Sequence, residues 1–180
     1  MSKSNGDEIL NIESKDEWFE KIMDVYGERL TKLCFNYTKD WNVSEDIVQE
    51  VFITCYREYE NIDKIDFFKA WIYRITINKC KDLLKSSFFK RVVMSSTLIT
   101  RIRTIELSPE MSIMKNSEEE FLSTCVLALP IKYREVITLY YYDELSIEEI
   151  SRILKINNNT VKTRLNRARI KLKVLMERWR

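Results

Sequence analysis

Residues 146–175 read SIEEISRILKINNNTVKTRLNRARIKLKVL, and this stretch decides the fold. Ser146 stands three residues before Glu149, the capping-box pattern in which the serine side chain and the glutamate satisfy free backbone donors at a helix start. A short helix is therefore predicted from Ser146 to about Leu154. Asn157, Asn158 and Asn159 follow as turn and cap residues, because asparagine side chains bond the local backbone and tolerate turn conformations. From Thr160 towards Trp179, the residues Val161, Leu165, Ala168, Leu172 and Leu175 recur at steps of four, three, four and three. One face of this last helix is apolar and has to be buried. Two helices separated by a short turn make a helix-turn-helix candidate. The opposite face then presents Lys162, Thr163, Asn166, Arg167 and Arg169, with Arg164 at its flank. Arg and Lys reach guanine acceptors, Asn pairs with adenine, and Thr bonds a base edge or touches a thymine methyl, so this is the side-chain set of a major-groove reader. A solvated basic face is the plainer reading of the same charges. The preceding capped helix, placed to brace the last one across a phosphate backbone, favours DNA.

The rest of the chain is also helical in pattern. Asp16 to Thr38 carries Trp18, Ile22, Val25, Tyr26, Leu30, Leu33, Cys34 and Tyr37 at helical spacing. A second helix is expected to begin at Ser44 as N-cap, with Glu45 and Asp46 suiting the positive end of the helix dipole. Its buried face is Ile47, Val48, Val51, Phe52, Cys55, Tyr56 and Tyr59. A third helix, Phe67 to Lys85, packs Phe68, Trp71, Ile72, Ile75 and Leu83 inward. From Ser86 to about Lys115 the periodicity weakens, Ser and Thr cluster, and Ser108-Pro109 disfavours a continuous helix. This segment reads as a linker, unusually apolar at Val92, Val93, Met94, Leu98, Ile99, Ile102 and Ile105. Glu118 to Leu129 then reads as a helix stopped by Pro130, and Lys132 to Tyr142 as another. The expected architecture is all-α, with small helical domains at 1–85 and 116–180 joined by a linker at 86–115.

Composition narrows the chemistry. Of 180 residues only 2 are Gly and 2 are Pro, which argues against turn-rich sandwiches and Gly-rich phosphate loops. There is no histidine. That removes the commonest general base and the commonest zinc ligand, and with them Ser-His and Cys-His nucleophile pairs. Paired carboxylates such as Glu148-Glu149 suit capping better than acid–base work, so no enzyme, no catalytic residue, no metal and no cofactor is expected. Net charge is +2, but residues 1–65 hold 8 Lys+Arg against 15 Asp+Glu and residues 146–180 hold 10 against 3. Opposite ends of opposite sign suggest an acidic surface for a protein partner and a basic one for a polyanion. Cys34, Cys55, Cys80 and Cys125 are isolated singles beside apolar positions. They are expected to be buried small hydrophobes in a reducing, cytoplasmic setting. No signal peptide or membrane span is read from the polar, acidic first residues or from any long apolar run.

Two ordered sets of residues then resemble a known family. Asp46-Ile47-Val48-Gln49-Glu50-Val51-Phe52, Ala70-Trp71-Ile72-Tyr73-Arg74-Ile75, Asn78 and Asp82 resemble the second region of extracytoplasmic-function sigma factors. Leu129-Pro130, Tyr133-Arg134-Glu135-Val136, Leu145-Ser146-Ile147-Glu148-Glu149-Ile150 and Thr160 through Arg169 resemble their fourth region. The likeness implies a transcription initiation factor that binds core RNA polymerase and promoter DNA, helps to open the duplex, and is held inactive by an anti-sigma factor. It implies that Asp46, Gln49, Glu50, Ile53 and Arg57, on one side of the second helix, dock on a coiled coil of the polymerase. It implies that Thr160, Lys162, Thr163, Arg164, Asn166, Arg167 and Arg169 read the minus-thirty-five element. Arg74, Asn78, Lys81 and Lys85 form a polar basic stripe suited to phosphates and unstacked bases. The resemblance assigns them, with Ile62 in the preceding loop, to the minus-ten element. A conventional helix-turn-helix regulator binding a palindromic operator as a dimer is the other reading of the sequence.

Overall fold

Lys39 takes a left-handed backbone conformation (φ 59°) and donates its N–H to Phe35 O, which ends the first helix, α1 (Lys15–Thr38). The computed structural model describes residues 14–65, 67–86 and 117–178, and every regular element among them is helical. The stripe of α1 buries Trp18, Ile22, Tyr26, Leu30, Leu33, Cys34 and Tyr37, whereas Val25, expected in it, is exposed. The second helix, α2 (Trp41–Glu58), starts before the expected Ser44. Its cap is Asp40, whose side chain accepts from Val43 N at 3.1 Å. Ser44 is instead fully buried, bonded to Asp40 O at 2.6 Å and paired with the Thr38 hydroxyl at 2.7 Å. Glu45 and Asp46 consequently lie beyond the first residues of α2, where the helix dipole acts more weakly on them.

A 3-10 turn (Tyr59–Lys64) leads to α3 (Phe68–Lys85). Helices α1, α2 and α3 pack on one another as the first module. Its aromatic centre holds the Trp18 ring against Tyr59 and Phe68, with centroids 5.0 and 5.8 Å away, and Tyr26 against Phe68 at 5.9 Å. Helix α3 buries Phe68 and Ile72 as the periodicity requires, and Tyr73, Thr76, Ile77 and Cys80 besides. Trp71, Ile75 and Leu83 are only partly buried.

In the second module, α4 (Ser117–Ala128) precedes Pro130, and α5 (Ile131–Ile137) runs into a wider π-helical turn (Thr138–Tyr142). Then come α6 (Ile147–Leu154) and α7 (Asn158–Arg178). The capping box at Ser146 is formed in both directions, Glu149 N to Ser146 Oγ at 3.2 Å and Ser146 N to Glu149 Oε2 at 2.8 Å. Leu139, Leu145, Ile150, Ile153, Val161, Leu165 and Ala168 close the core. Each fully buried Leu or Ile contributes about 1.5 to 3 kcal/mol by leaving water.

The modules are in contact: α6 lies against α3, and α5 against α1. Every residue from Tyr133 to Leu139 is buried as a result, one side of α5 facing α7 and another facing the first module. All four cysteines are free and buried, with Cys34 Sγ and Cys80 Sγ 3.5 Å apart across α1 and α3. Apart from Ser86, the expected linker at 86–115 lies outside the described residues.

Candidate nucleic-acid interface

Asn157 starts α7. Its Oδ1 accepts from Thr160 N at 2.7 Å and from the Thr160 hydroxyl at 2.8 Å, so the last of three consecutive turns is anchored by a side chain that serves two donors. Val161, Leu165 and Ala168 face the core. Lys162, Thr163, Asn166, Arg167 and Arg169 are all exposed on the other side, as the spacing requires. Thr160 is half-buried. Arg164 is placed differently from its neighbours: its Nη1 is 2.9 Å from Glu135 Oε1, which ties it to α5. Arg169 leans back on α5 as well, with Nε donating to the Tyr141 hydroxyl at 2.8 Å and the guanidinium 5.5 Å from that ring.

An open cleft of about 400 Å³ lies at the start of α7, lined by Lys132, Tyr133, Asn157, Asn159, Thr160, Thr163, Arg164 and Arg167. It combines unpaired backbone donors of a helix start with three cationic side chains, which suits a phosphate group. Of these, Lys132, Tyr133, Asn157 and Asn159 were absent from the sequence-derived set. Their signal was present in the turn asparagines, but only the tertiary packing of α5 beside α7 brings Lys132 and Tyr133 to the same place.

On α3, Asn78 and Lys85 are exposed and Arg74 is half-buried. Lys85 pairs with Asp82 at 3.2 Å on its own helix. Lys81 reaches across to the second module, with Nζ 3.0 Å from Glu135 Oε2. Ile62 departs from the expectation of an accessible loop contact: it is 4% exposed and belongs to the core. The large apolar side chain that does reach the surface there is Phe67, 56% exposed, with the Arg152 guanidinium 4.4 Å from its ring. On α2, Asp46, Gln49, Glu50, Ile53 and Arg57 are all exposed along one side. Glu50 also pairs with Lys79 at 2.8 Å. Ile53, half exposed, is the apolar centre of an otherwise charged face.

The polar contacts between the modules were not anticipated. Glu135, 4% exposed, accepts from the Tyr37 hydroxyl at 2.8 Å as well as from Lys81 and Arg164. Asp143, 1% exposed, accepts from the Tyr73 hydroxyl at 2.8 Å, while its Oδ2 has no partner. Burial pushes the Asp143 carboxyl up to about 6, the Tyr73 bond opposing that rise. Burial also holds the Tyr37 and Tyr73 phenols well above the ordinary tyrosine range, reinforced by the adjacent carboxylates. Lys69 and Glu149 add a contact at 3.6 Å.

Among the described residues no cluster of His, Cys, Asp and Glu could hold a metal ion, and no helix is long and apolar enough to cross a membrane.

Comparison with known proteins places these features. The model of Sigma-70 region 2 matches residues 22–87 and that of Sigma-70, region 4 matches residues 122–172. The ECF RNA polymerase sigma factor SigW of Bacillus subtilis is 35% identical over 161 residues, covering 84% of each chain. SigM of the same organism is 31% identical over 160 residues, covering 88% of this chain and 95% of its own. The ECF sigma-E factor of Escherichia coli is 29% identical over 180 residues. In fold, the chain is similar to a chain of the solved complex of CnrH with the cytosolic domain of CnrY. The TM-score is 0.67 at 20% identity, covering 96% of this chain and 94% of that one. It is equally similar to a chain of the complex of sigma factor RpoE with the anti-sigma factor NepR from Bartonella quintana, with a TM-score of 0.67 at 18% identity over 91% of this chain and 98% of that one. The first module carries the region 2 match and the second the region 4 match with its capped helix pair, and on these grounds the chain belongs to the ECF RNA polymerase sigma factors.

Proposed function

We infer that the protein joins core RNA polymerase and directs promoter-specific transcription initiation, with each module addressing one promoter element. The observation that carries this reading is α7. Its apolar face is locked into the core while Lys162, Thr163, Asn166 and Arg167 stand together on the free side of a capped helix pair. In this reading the amino acids at 160–169 contact the minus-thirty-five element in the major groove. Arg167, beside the cleft, is the bidentate base reader, and Lys132 holds a flanking phosphate. Arg74, Asn78, Lys81 and Lys85 on α3 take the minus-ten strand once it is unpaired, with Phe67, rather than Ile62, as the apolar residue at the strand's edge. Opening costs a few kcal/mol per extruded base, which the binding energy of the assembled complex offsets.

The exposed side of α2 serves as the polymerase contact, Ile53 being its apolar anchor among Asp46, Gln49, Glu50 and Arg57. Bond-making belongs to the polymerase, and the chain itself turns over nothing. The working divisions are 1–85, 86–115 and 116–180. Because a sigma factor works where the polymerase works, the protein acts in the cytoplasm. RpoE, similar in fold, is found in complex with the anti-sigma factor NepR, and an inhibitory partner of that class completes the reading. The test is in vitro transcription with purified core polymerase and a promoter library. Discrete start sites downstream of a shared two-part sequence support it. Products that do not depend on the added chain count against it.

A further inference from the structure

The closed packing of the two modules uses the residues that DNA would need. Helix α6 lies on α3, the helix assigned to the minus-ten strand. Lys81 is held by Glu135, Arg164 is held by the other oxygen of the same carboxylate, and Arg152 covers Phe67. Glu135 thus stands where a phosphate would, between one cation from each DNA-facing set. The contact is built rather than incidental. Tyr37 and Tyr73, buried in α1 and α3, each aim a hydroxyl out of their own module at a buried carboxylate of the other, Glu135 and Asp143.

This arrangement is incompatible with an occupied promoter. Elements named for positions minus thirty-five and minus ten lie about 25 base pairs apart, or roughly 85 Å at 3.4 Å per base pair. Two modules in direct contact cannot span that distance. The 30 residues between 86 and 117 can, since an extended chain of that length reaches roughly 100 Å.

We propose that the free protein rests in this closed state, an intramolecular latch in which Glu135 and Asp143 of the second module clasp Tyr37, Lys81 and Tyr73 of the first and keep both DNA-facing sets from promoter DNA. Core polymerase, by taking the exposed side of α2, selects the open state. The proposal rests on the sigma-factor reading for what is inhibited, but the latch itself is read from the protein alone. Its strength comes from hydroxyl-to-carboxylate bonds closed off from water. Removing the Tyr73 hydroxyl leaves the Asp143 carboxylate buried with neither oxygen bonded, and such a group favours any state that returns it to solvent.

The experiment uses the full chain with cysteines introduced at Lys32 and Tyr142, which face each other across the modules with the Lys32 ammonium 5.1 Å from the Tyr142 ring. All four native cysteines are buried and so shielded from a short bismaleimide. The pair is expected to cross-link within one molecule. Tyr73→Phe should shift the opening equilibrium about tenfold, lowering the cross-linking rate and raising affinity for a single-stranded minus-ten oligonucleotide without polymerase by a similar factor. Tyr37→Phe, which removes the other hydroxyl, should act in the same direction. Unchanged cross-linking in both variants overturns the latch, and so does opening without any gain in oligonucleotide binding. Transcription with core polymerase is measured alongside. Failure of the unmodified chain to direct it sinks the sigma-factor reading, while the cross-linking still judges the latch.

Discussion

Replacing Asp143 by asparagine removes the one buried carboxylate that is left with an unpartnered oxygen, while keeping an acceptor for the Tyr73 hydroxyl. In the folded chain this carboxyl titrates at about 6 because burial disfavours its charged form, and once released to solvent it titrates at about 3.9. The folded state therefore takes up a proton more readily than the unfolded one. The resulting stabilisation is complete below the lower of these values and is lost as pH rises through the upper. Between about pH 7 and about pH 5 the linkage relation gives the wild-type chain about 1.3 kcal/mol of added stability from this group. Asparagine cannot take up that proton. Urea unfolding followed by far-UV circular dichroism at the two pH values, on both proteins, isolates the term, since every other titrating group is common to both. The wild type should gain about 1.3 kcal/mol relative to Asp143→Asn on acidification. Parallel pH dependence of the two proteins, or a relative loss by the wild type, refutes the assignment of Asp143 as a buried, charge-strained group.

Three further outcomes follow from the geometry. Arg167→Ala should cost about 1 to 3 kcal/mol at one base pair of the minus-thirty-five element and little elsewhere, measured as holoenzyme affinity across single-base variants, whereas an equal loss on every sequence marks a phosphate contact. Ser146→Ala removes one half of a formed capping box and should lower unfolding stability by about 1 kcal/mol, read from the urea midpoint, and an unchanged midpoint contradicts the cap. Ile53→Glu places a charge at the apolar centre of the α2 face. Affinity for core polymerase should fall by about 2 kcal/mol with no change in melting temperature, and a lowered melting temperature with intact affinity assigns Ile53 to the fold instead.

Much of this molecule is written locally in its sequence. The Ser146 capping box, the Asn157 cap and the four-three-four-three stripe of α7 are each set by residues within one or two turns of each other, and they stand where the spacing puts them. The same holds for the burial of the four cysteines. The start of α2 was misread because two good capping residues, Asp40 and Ser44, lie one turn apart, and the choice between them rests on the Thr38 hydroxyl that takes Ser44 inside. Ile62 was misplaced for a related reason: an apolar residue in a connecting turn carries no periodicity to say which way it faces.

The largest omission is the clasp between modules. Tyr37 and Glu135 are 98 residues apart, and Tyr73 and Asp143 are 70 apart. No local pattern pairs them. The one available signal was that Tyr133, Val136, Ile137 and Leu139 make α5 apolar on more than one side, as expected of a helix covered all round. Lys81 and Arg164 were legible as cations on DNA-facing helices, but their shared partner was not.

The division of labour between α3 and α7 is tested most directly by placing a photo-cross-linking amino acid at Asn78 or at Asn166 in the full chain. Each variant is assembled with core polymerase on one promoter and the cross-linked bases are mapped. Position 166 should label the minus-thirty-five segment, position 78 the unpaired minus-ten strand, and neither should do so efficiently without polymerase. Labelling of a single shared segment from both positions, or equal labelling by the free protein, would contradict the account.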